Sequence, residues 1–168
     1  MRILMVCLGN ICRSPLAEGI LRYKAGAAGL DWQVDSAGTN SYHTGEPPHR
    51  LSQKVARLNG IEICDQRARR FTAPDMDLYD KIYALATDVM EEIRIIAGSS
   101  FQPGKTGLLM DELFPGSNLD VPDPWYGEEP DYHDVYKMLD EVCEVIILKY
   151  GNQKGRSKPV EIKTSSQQ

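Results

Sequence analysis

The chain has 168 residues, 42% apolar and 26% charged, which is the usage of an ordinary globular domain and not of a disordered chain. Nineteen basic residues against 24 acidic ones leave a net charge of −5, the wrong balance for a nucleic-acid binder that works through clustered cations. Four cysteines are too few for a disulfide scaffold, and the early apolar run at residues 3–8 falls far short of the roughly 20 residues of a membrane span. No signal peptide is read from the N-terminal residues, so the expected setting is a reducing cytoplasm, with no membrane partner.

In chain order, residues 3–8 predict a buried strand. Residues 15–28 predict a helix, with Leu16, Ile20, Tyr23 and Ala27 at helical spacing and Gly29 past its end. Residues 32–36 predict a short strand. Leu51, Val55 and Leu58 mark a second helix that closes at Asn59-Gly60. Residues 81–86 predict a third strand and 88–97 a third helix, which Asp88 is expected to cap. Residues 107–110 predict a fourth strand, and Val135, Met138, Leu139, Val142, Val145 and Ile146 a long last helix. Residues 1–151 make one domain on this reading. Residues 152–168 read as a flexible polar tail of net charge +3, from Lys154, Arg156, Lys158 and Lys163 against Glu161. Alternating strands and helices imply a three-layer α/β fold, a four-stranded parallel sheet with helices on both faces. Its ligand site is expected outside the carboxyl ends of the strands, on the rim formed by residues 8–14, 37–45 and 87–88.

The chemistry concentrates in Val6-Cys7-Leu8-Gly9-Asn10-Ile11-Cys12-Arg13-Ser14-Pro15. This stretch joins the first strand to the first helix, with Pro15 expected at the first helical position. Backbone N–H groups converging ahead of a helix N-terminus form a nest for a tetrahedral oxyanion. Gly9 and Asn10 are residue types that accept the positive φ such a curl needs. The field that attracts phosphate also favours an ionised sulfur on Cys7, to which Ser14 can donate. Arg13 can meet two phosphate oxygens at once, as Lys cannot. The set suits attack of sulfur on phosphorus. Cysteine followed six residues later by arginine also occurs at Cys64…Arg70, but without glycine, a following hydroxyl or a strand-to-helix setting. Cys64 therefore reads as structural and its arginines as surface or rim charges. An oxygen leaving group needs a proton, and Asp123, in Val121-Pro122-Asp123-Pro124-Trp125-Tyr126-Gly127, sits in a stiff, aromatic loop suited to a general acid. By residue type alone Asp111, Asp120, Asp131 and Asp134 compete equally.

The Cys7–Pro15 run resembles the phosphate loop of the low-molecular-weight protein tyrosine phosphatases. Asp35-Ser36-Ala37-Gly38-Thr39, Gly45-Glu46-Pro47-Pro48 and Asp123-Pro124-Trp125-Tyr126-Gly127 resemble further segments of that family, in order. The resemblance runs from about Arg2 to Tyr150. It implies a phosphotyrosine monoesterase that needs neither metal nor cofactor. Cys7 would be the nucleophile, Arg13 the phosphate ligand and Asp123 the acid and later the base. Leu8, Gly9, Ile11 and Cys12 would line the phosphate pocket. Asn10, Ser14 and Ser36 would hold the loop, and Tyr42, Trp125 and Tyr126 would flank the substrate ring. Cys12 would trap an oxidised Cys7 in a reversible disulfide. Implied partners are phosphotyrosine-bearing proteins, a tyrosine kinase among them, with inorganic phosphate as product and a monomer or weak dimer as the assembly. Two departures stand out: Gln66 where the family often has His, and Trp125 where Tyr is common. Two rival readings are a thiol-type arsenate reductase on the same scaffold and a catalytically weak phosphotyrosine-binding module.

Overall fold

The computed structural model describes residues 1–155. Most of the tail expected over 152–168 lies outside the described residues; its first residues belong to a 3-10 turn, Gly151–Gly155. The elements are β1 (Arg2–Cys7), α1 (Arg13–Ala27), β2 (Gln33–Gly38), α2 (Arg50–Leu58), α3 (Asp75–Leu78), β3 (Lys81–Ala84), α4 (Thr87–Ala97), β4 (Thr106–Leu108) and α5 (Glu129–Tyr150). The strands form one four-stranded parallel sheet, as the alternation predicts, and their order is β2-β1-β3-β4.

Central strand β1 has no face turned to solvent, so it reads as an unbroken apolar run. Ile3, Met5 and Cys7 join one core with Leu16 and Ile20 of α1, Val55 of α2 and Leu139, Val142 and Ile146 of α5. Leu4 and Val6 join the other core with Phe71, Met76 and, from α4, Val89 and Ile93. Two cores separated by one sheet make the three layers.

Several boundaries differ from expectation. Helix α1 starts at Arg13, so Pro15 is its third residue, not its first. Proline is tolerated there because the first turn's N–H groups have no intrahelical acceptor. Tyr23 and Leu58, assigned to buried stripes, are 59% and 64% exposed, while Leu21 and Ala56 are buried. Asp88 does not cap α4: it lies inside the first turn and accepts from the Val89 N–H. Asp120 caps the helix instead, accepting from the Thr87 N–H at 2.8 Å. A ligand for a helix end that comes from 33 residues away cannot be found by local reading. The short helix α3 also goes unseen, its four residues being too few to show a period.

Candidate active site

The chain leaves β1 at Cys7 and enters α1 at Arg13 through a tight loop, residues 8–12. Asn10 holds φ +57°, the left-handed conformation asparagine accepts more readily than most residues; Gly9 does not need it. The N–H groups of Leu8, Gly9, Asn10, Ile11 and Cys12 make no hydrogen bond among the described residues. Three of the loop's carbonyls are tied down: Leu8 O accepts from Asn40 N, Ile11 O from His49 N and Cys12 O from Ser52 Oγ. Donors left free while acceptors are engaged define an oxyanion nest. Gly38 allows the loop its position, because a Cβ there would stand 2.5 Å from Leu8 O and 3.0 Å from the Gly9 carbonyl carbon.

Beneath the loop runs a buried hydrogen-bond chain. The Arg69 N–H donates to Asn10 Oδ1 at 3.0 Å, which orients the amide. Asn10 Nδ2 then donates to Ser14 Oγ at 2.8 Å and Ser36 Oγ at 2.9 Å. Each serine has one hydrogen, and both oxygens are already receiving. Ser36 passes its hydrogen to Glu18 Oε1 at 3.1 Å. Ser14 directs its own at Cys7 Sγ, 2.9 Å away, the nearer of two acceptors since Ala37 O lies at 3.5 Å. The chain therefore presents a hydroxyl donor to the sulfur. Burial pushes the Glu18 carboxyl up to about 7, against the pull of Arg22 and of Ser36. Burial also pushes Cys12 up to about 12 and keeps it a thiol. Gln66 donates to Pro15 O at 3.1 Å, while its Oε1 is buried without a partner among the described residues.

Arg13 is buried, with Nη1 donating to Val121 O at 3.0 Å and Nη2 at 3.5 Å from Asp123 Oδ2. Val121 N in turn donates to Leu85 O, so the end of β3 and the Asp120 cap anchor the loop that carries Asp123. Asp123 Oδ1 accepts from Trp125 N at the start of a 3-10 turn, Pro124–Tyr126. Its side chain is 37% exposed, and Arg13 is its charged neighbour.

A cleft of about 290 Å³ joins these parts, and its lining includes Cys7, Leu8, Gly9, Ile11, Cys12, Arg13, Tyr42, Asp123, Trp125 and Tyr126. Asn10, Ser14 and Ser36 lie behind the loop rather than in the lining, and the turn at 87–88 supports the Asp123 loop without reaching the cleft. Asn40 and His43, within the loop 37–45 expected at the rim, also line the cleft, although neither is singled out by the sequence. Nothing local marks them: His43 matters because its ring stands 5.3 Å from Trp125. A ladder continues from Trp125 to His49 at 5.6 Å and from His49 to Tyr132 at 5.2 Å. Tyr132 Oη closes it 3.6 Å from Cys12 Sγ. Tyr42 and Tyr126 are 84% and 94% exposed, free walls at the mouth.

Cys7, the buried Arg13 and Asp123 thus share one cleft. The family model described as low molecular weight phosphotyrosine protein phosphatase matches residues 2–156. The low molecular weight protein-tyrosine-phosphatase YfkJ of Bacillus subtilis is 34% identical over 154 residues, 90% of this chain and 97% of that protein. Its crystal structure superposes with a TM-score of 0.84 over 92% of this chain and 96% of that one. Vibrio vulnificus Wzb in complex with benzylphosphonate superposes with a TM-score of 0.79 at 27% identity, covering 88% of this chain and 97% of that one. The chain belongs to the low molecular weight phosphotyrosine protein phosphatase family.

Proposed function

We propose that this protein hydrolyses phosphotyrosine in proteins, with Cys7 as nucleophile, Arg13 as phosphate ligand and Asp123 as general acid and base. The observation that carries the reading is the buried chain ending in the 2.9 Å contact of Ser14 Oγ with Cys7 Sγ, on the floor of the nest. A hydroxyl aimed at the sulfur stabilises its anion. The phosphoryl oxygens take up the loop N–H groups and the Arg13 guanidinium, which exchanges its contact with Asp123 for them. Sulfur attacks phosphorus, the P–O bond to the phenol breaks, and Asp123 gives its proton to the leaving oxygen. Asp123 then removes a proton from water, the water oxygen attacks phosphorus, and the P–S bond breaks to release inorganic phosphate and the Cys7 anion. Tyr42, Trp125 and Tyr126 flank the ring. Aromatic pairs add about 0.5–1.5 kcal/mol beyond area burial, which favours phosphotyrosine over phosphoserine.

Cys12 sits in the same loop as a protonated thiol. When peroxide converts the Cys7 thiolate to a sulfenic acid, the Cys12 sulfur attacks it, water leaves and a disulfide forms. The working setting is a reducing cytoplasm, where Cys7 stays free. The partners are phosphotyrosine-bearing proteins, a tyrosine kinase among them, met by a monomer or weak dimer. An arsenate reductase would have to relay a disulfide outward, but Cys143 is fully buried and Cys64 lies in a separate loop. A phosphotyrosine reader would need the nest but no general acid.

The test is hydrolysis of para-nitrophenyl phosphate in EDTA by wild type, Cys7→Ser and Asp123→Ala. Turnover should be metal-independent, abolished in Cys7→Ser and slowed about 10²–10⁴-fold in Asp123→Ala. Turnover that survives Cys7→Ser would overturn the mechanism.

A further inference from the structure

Beside the cleft lies a second cavity of about 380 Å³, lined in part by Thr39, Tyr42, Arg70, Glu92, Ile95 and Ile96. Asn40 and Tyr42 line both cavities, so one wall divides them. A side chain one or two residues from a phosphotyrosine seated at Cys7 can step over that wall.

Two features of this cavity have no role in the fold or the cleft. Arg70 is exposed and its Nε touches only the Thr39 carbonyl oxygen, at 3.4 Å; no ion pair engages its guanidinium among the described residues. By contrast its neighbour Arg69 is held by Asp75 at 2.9 Å. Ile95 is 77% exposed, a large aliphatic side chain with no role in either core. A free guanidinium and an aliphatic shelf together suit a side chain with methylenes and a terminal carboxylate. Glu92 also lines the cavity, and no ion pair joins it to Arg70. It sets an opposing charge that limits how strongly a carboxylate is held.

We propose that this cavity is a subsite for the substrate polypeptide and takes an acidic side chain, glutamate above all, within two residues of the phosphotyrosine. The proposal rests on the phosphotyrosine reading and deepens it. In it, the carboxylate meets Arg70, and the methylenes lie against Ile95 and Ile96. Specificity then resides at the rim, on residues that take no part in bond breaking.

The test uses phosphotyrosine peptides carrying Glu, Ala or Lys at each of the two positions on either side, with free phosphotyrosine as the control. Wild type should favour Glu over Lys by about tenfold in kcat/KM at one flanking position, the size of one charge-assisted contact at a half-open site. Arg70→Glu should reverse the order to favour Lys, and Glu92→Gln should widen the wild-type preference. Free phosphotyrosine should be hydrolysed within about twofold of wild type by both variants, because neither residue lines the catalytic cleft. Equal rates across the wild-type series, or a Glu preference that persists in Arg70→Glu, would overturn the subsite while leaving the activity intact. Failure to hydrolyse free phosphotyrosine would instead sink the underlying reading and the subsite with it.

Discussion

The chain carries cysteine and arginine six residues apart twice, at Cys7…Arg13 and at Cys64…Arg70, and the two stretches fold into opposite things. The first turns between β1 and α1, so its N–H groups converge and its arginine is buried beside the sulfur. The second runs as an irregular segment between α2 and α3, where Cys64 turns toward Asp65 and Arg70 is exposed. Spacing is therefore not what makes the site. A strand that ends at a helix start is, because that geometry aims unpaired donors at one point. The second stretch nonetheless serves the first. Its Arg69 N–H orients Asn10, and Gln66 donates to Pro15 O beneath the loop. One segment forms the nest and the other supports it.

The widest expected gap between them is in catalysis. Cys7→Ser should lower turnover of an aryl phosphate at least about 10⁴-fold, whereas Cys64→Ser should stay within about twofold. Similar losses in steady-state assays of both purified variants would erase the distinction. Next in size is Gly38→Ala, whose added methyl meets the Leu8 carbonyl oxygen at 2.5 Å. We expect about 1–3 kcal/mol of lost stability in urea titrations, with phosphate binding weakened as the nest deforms; unchanged phosphate affinity would show that the loop yields without cost.

The redox behaviour should separate the two thiols of the phosphate loop. After peroxide treatment, wild type should recover most of its activity in dithiothreitol, and Cys12→Ser less than about a tenth, because its sulfenic acid oxidises further. Full recovery of Cys12→Ser would remove Cys12 from that role. The smallest effect is a pH dependence of stability. Glu18 is pushed up to about 7 in the fold and ionises near 4.5 when unfolded. Between those values the folded chain holds the extra proton, so stability falls as pH rises through the window and the deficit persists above it. Glu18→Gln keeps an acceptor for Ser36 and removes that charge. Relative to wild type it should gain about 1–3 kcal/mol between pH 4.5 and 8, read from paired urea midpoints. Parallel pH curves for the two proteins would contradict the buried-carboxyl account.

Much of the site is local and was legible as such. Cys7, Asn10, Arg13 and Ser14 lie within one strand–loop–helix passage, where residue type, positive-φ tolerance and helix start speak together. The alternation of apolar runs with helical stripes likewise determined the three-layer parallel sheet, since only that arrangement buries an unbroken apolar strand such as β1 on both faces. What tertiary structure alone decided are contacts between residues far apart in the chain. Asp120 reaches across 33 residues to cap α4. Arg69 orients Asn10 from 59 residues away, and Tyr132 meets Cys12 from 120. The exposure of Tyr23 and Leu58 follows from where the neighbouring helices pack, which a helical period does not encode. Periodicity and turn chemistry act over a few residues, whereas a cap, a buttress or a second pocket exists only once the sheet has brought its loops to one rim.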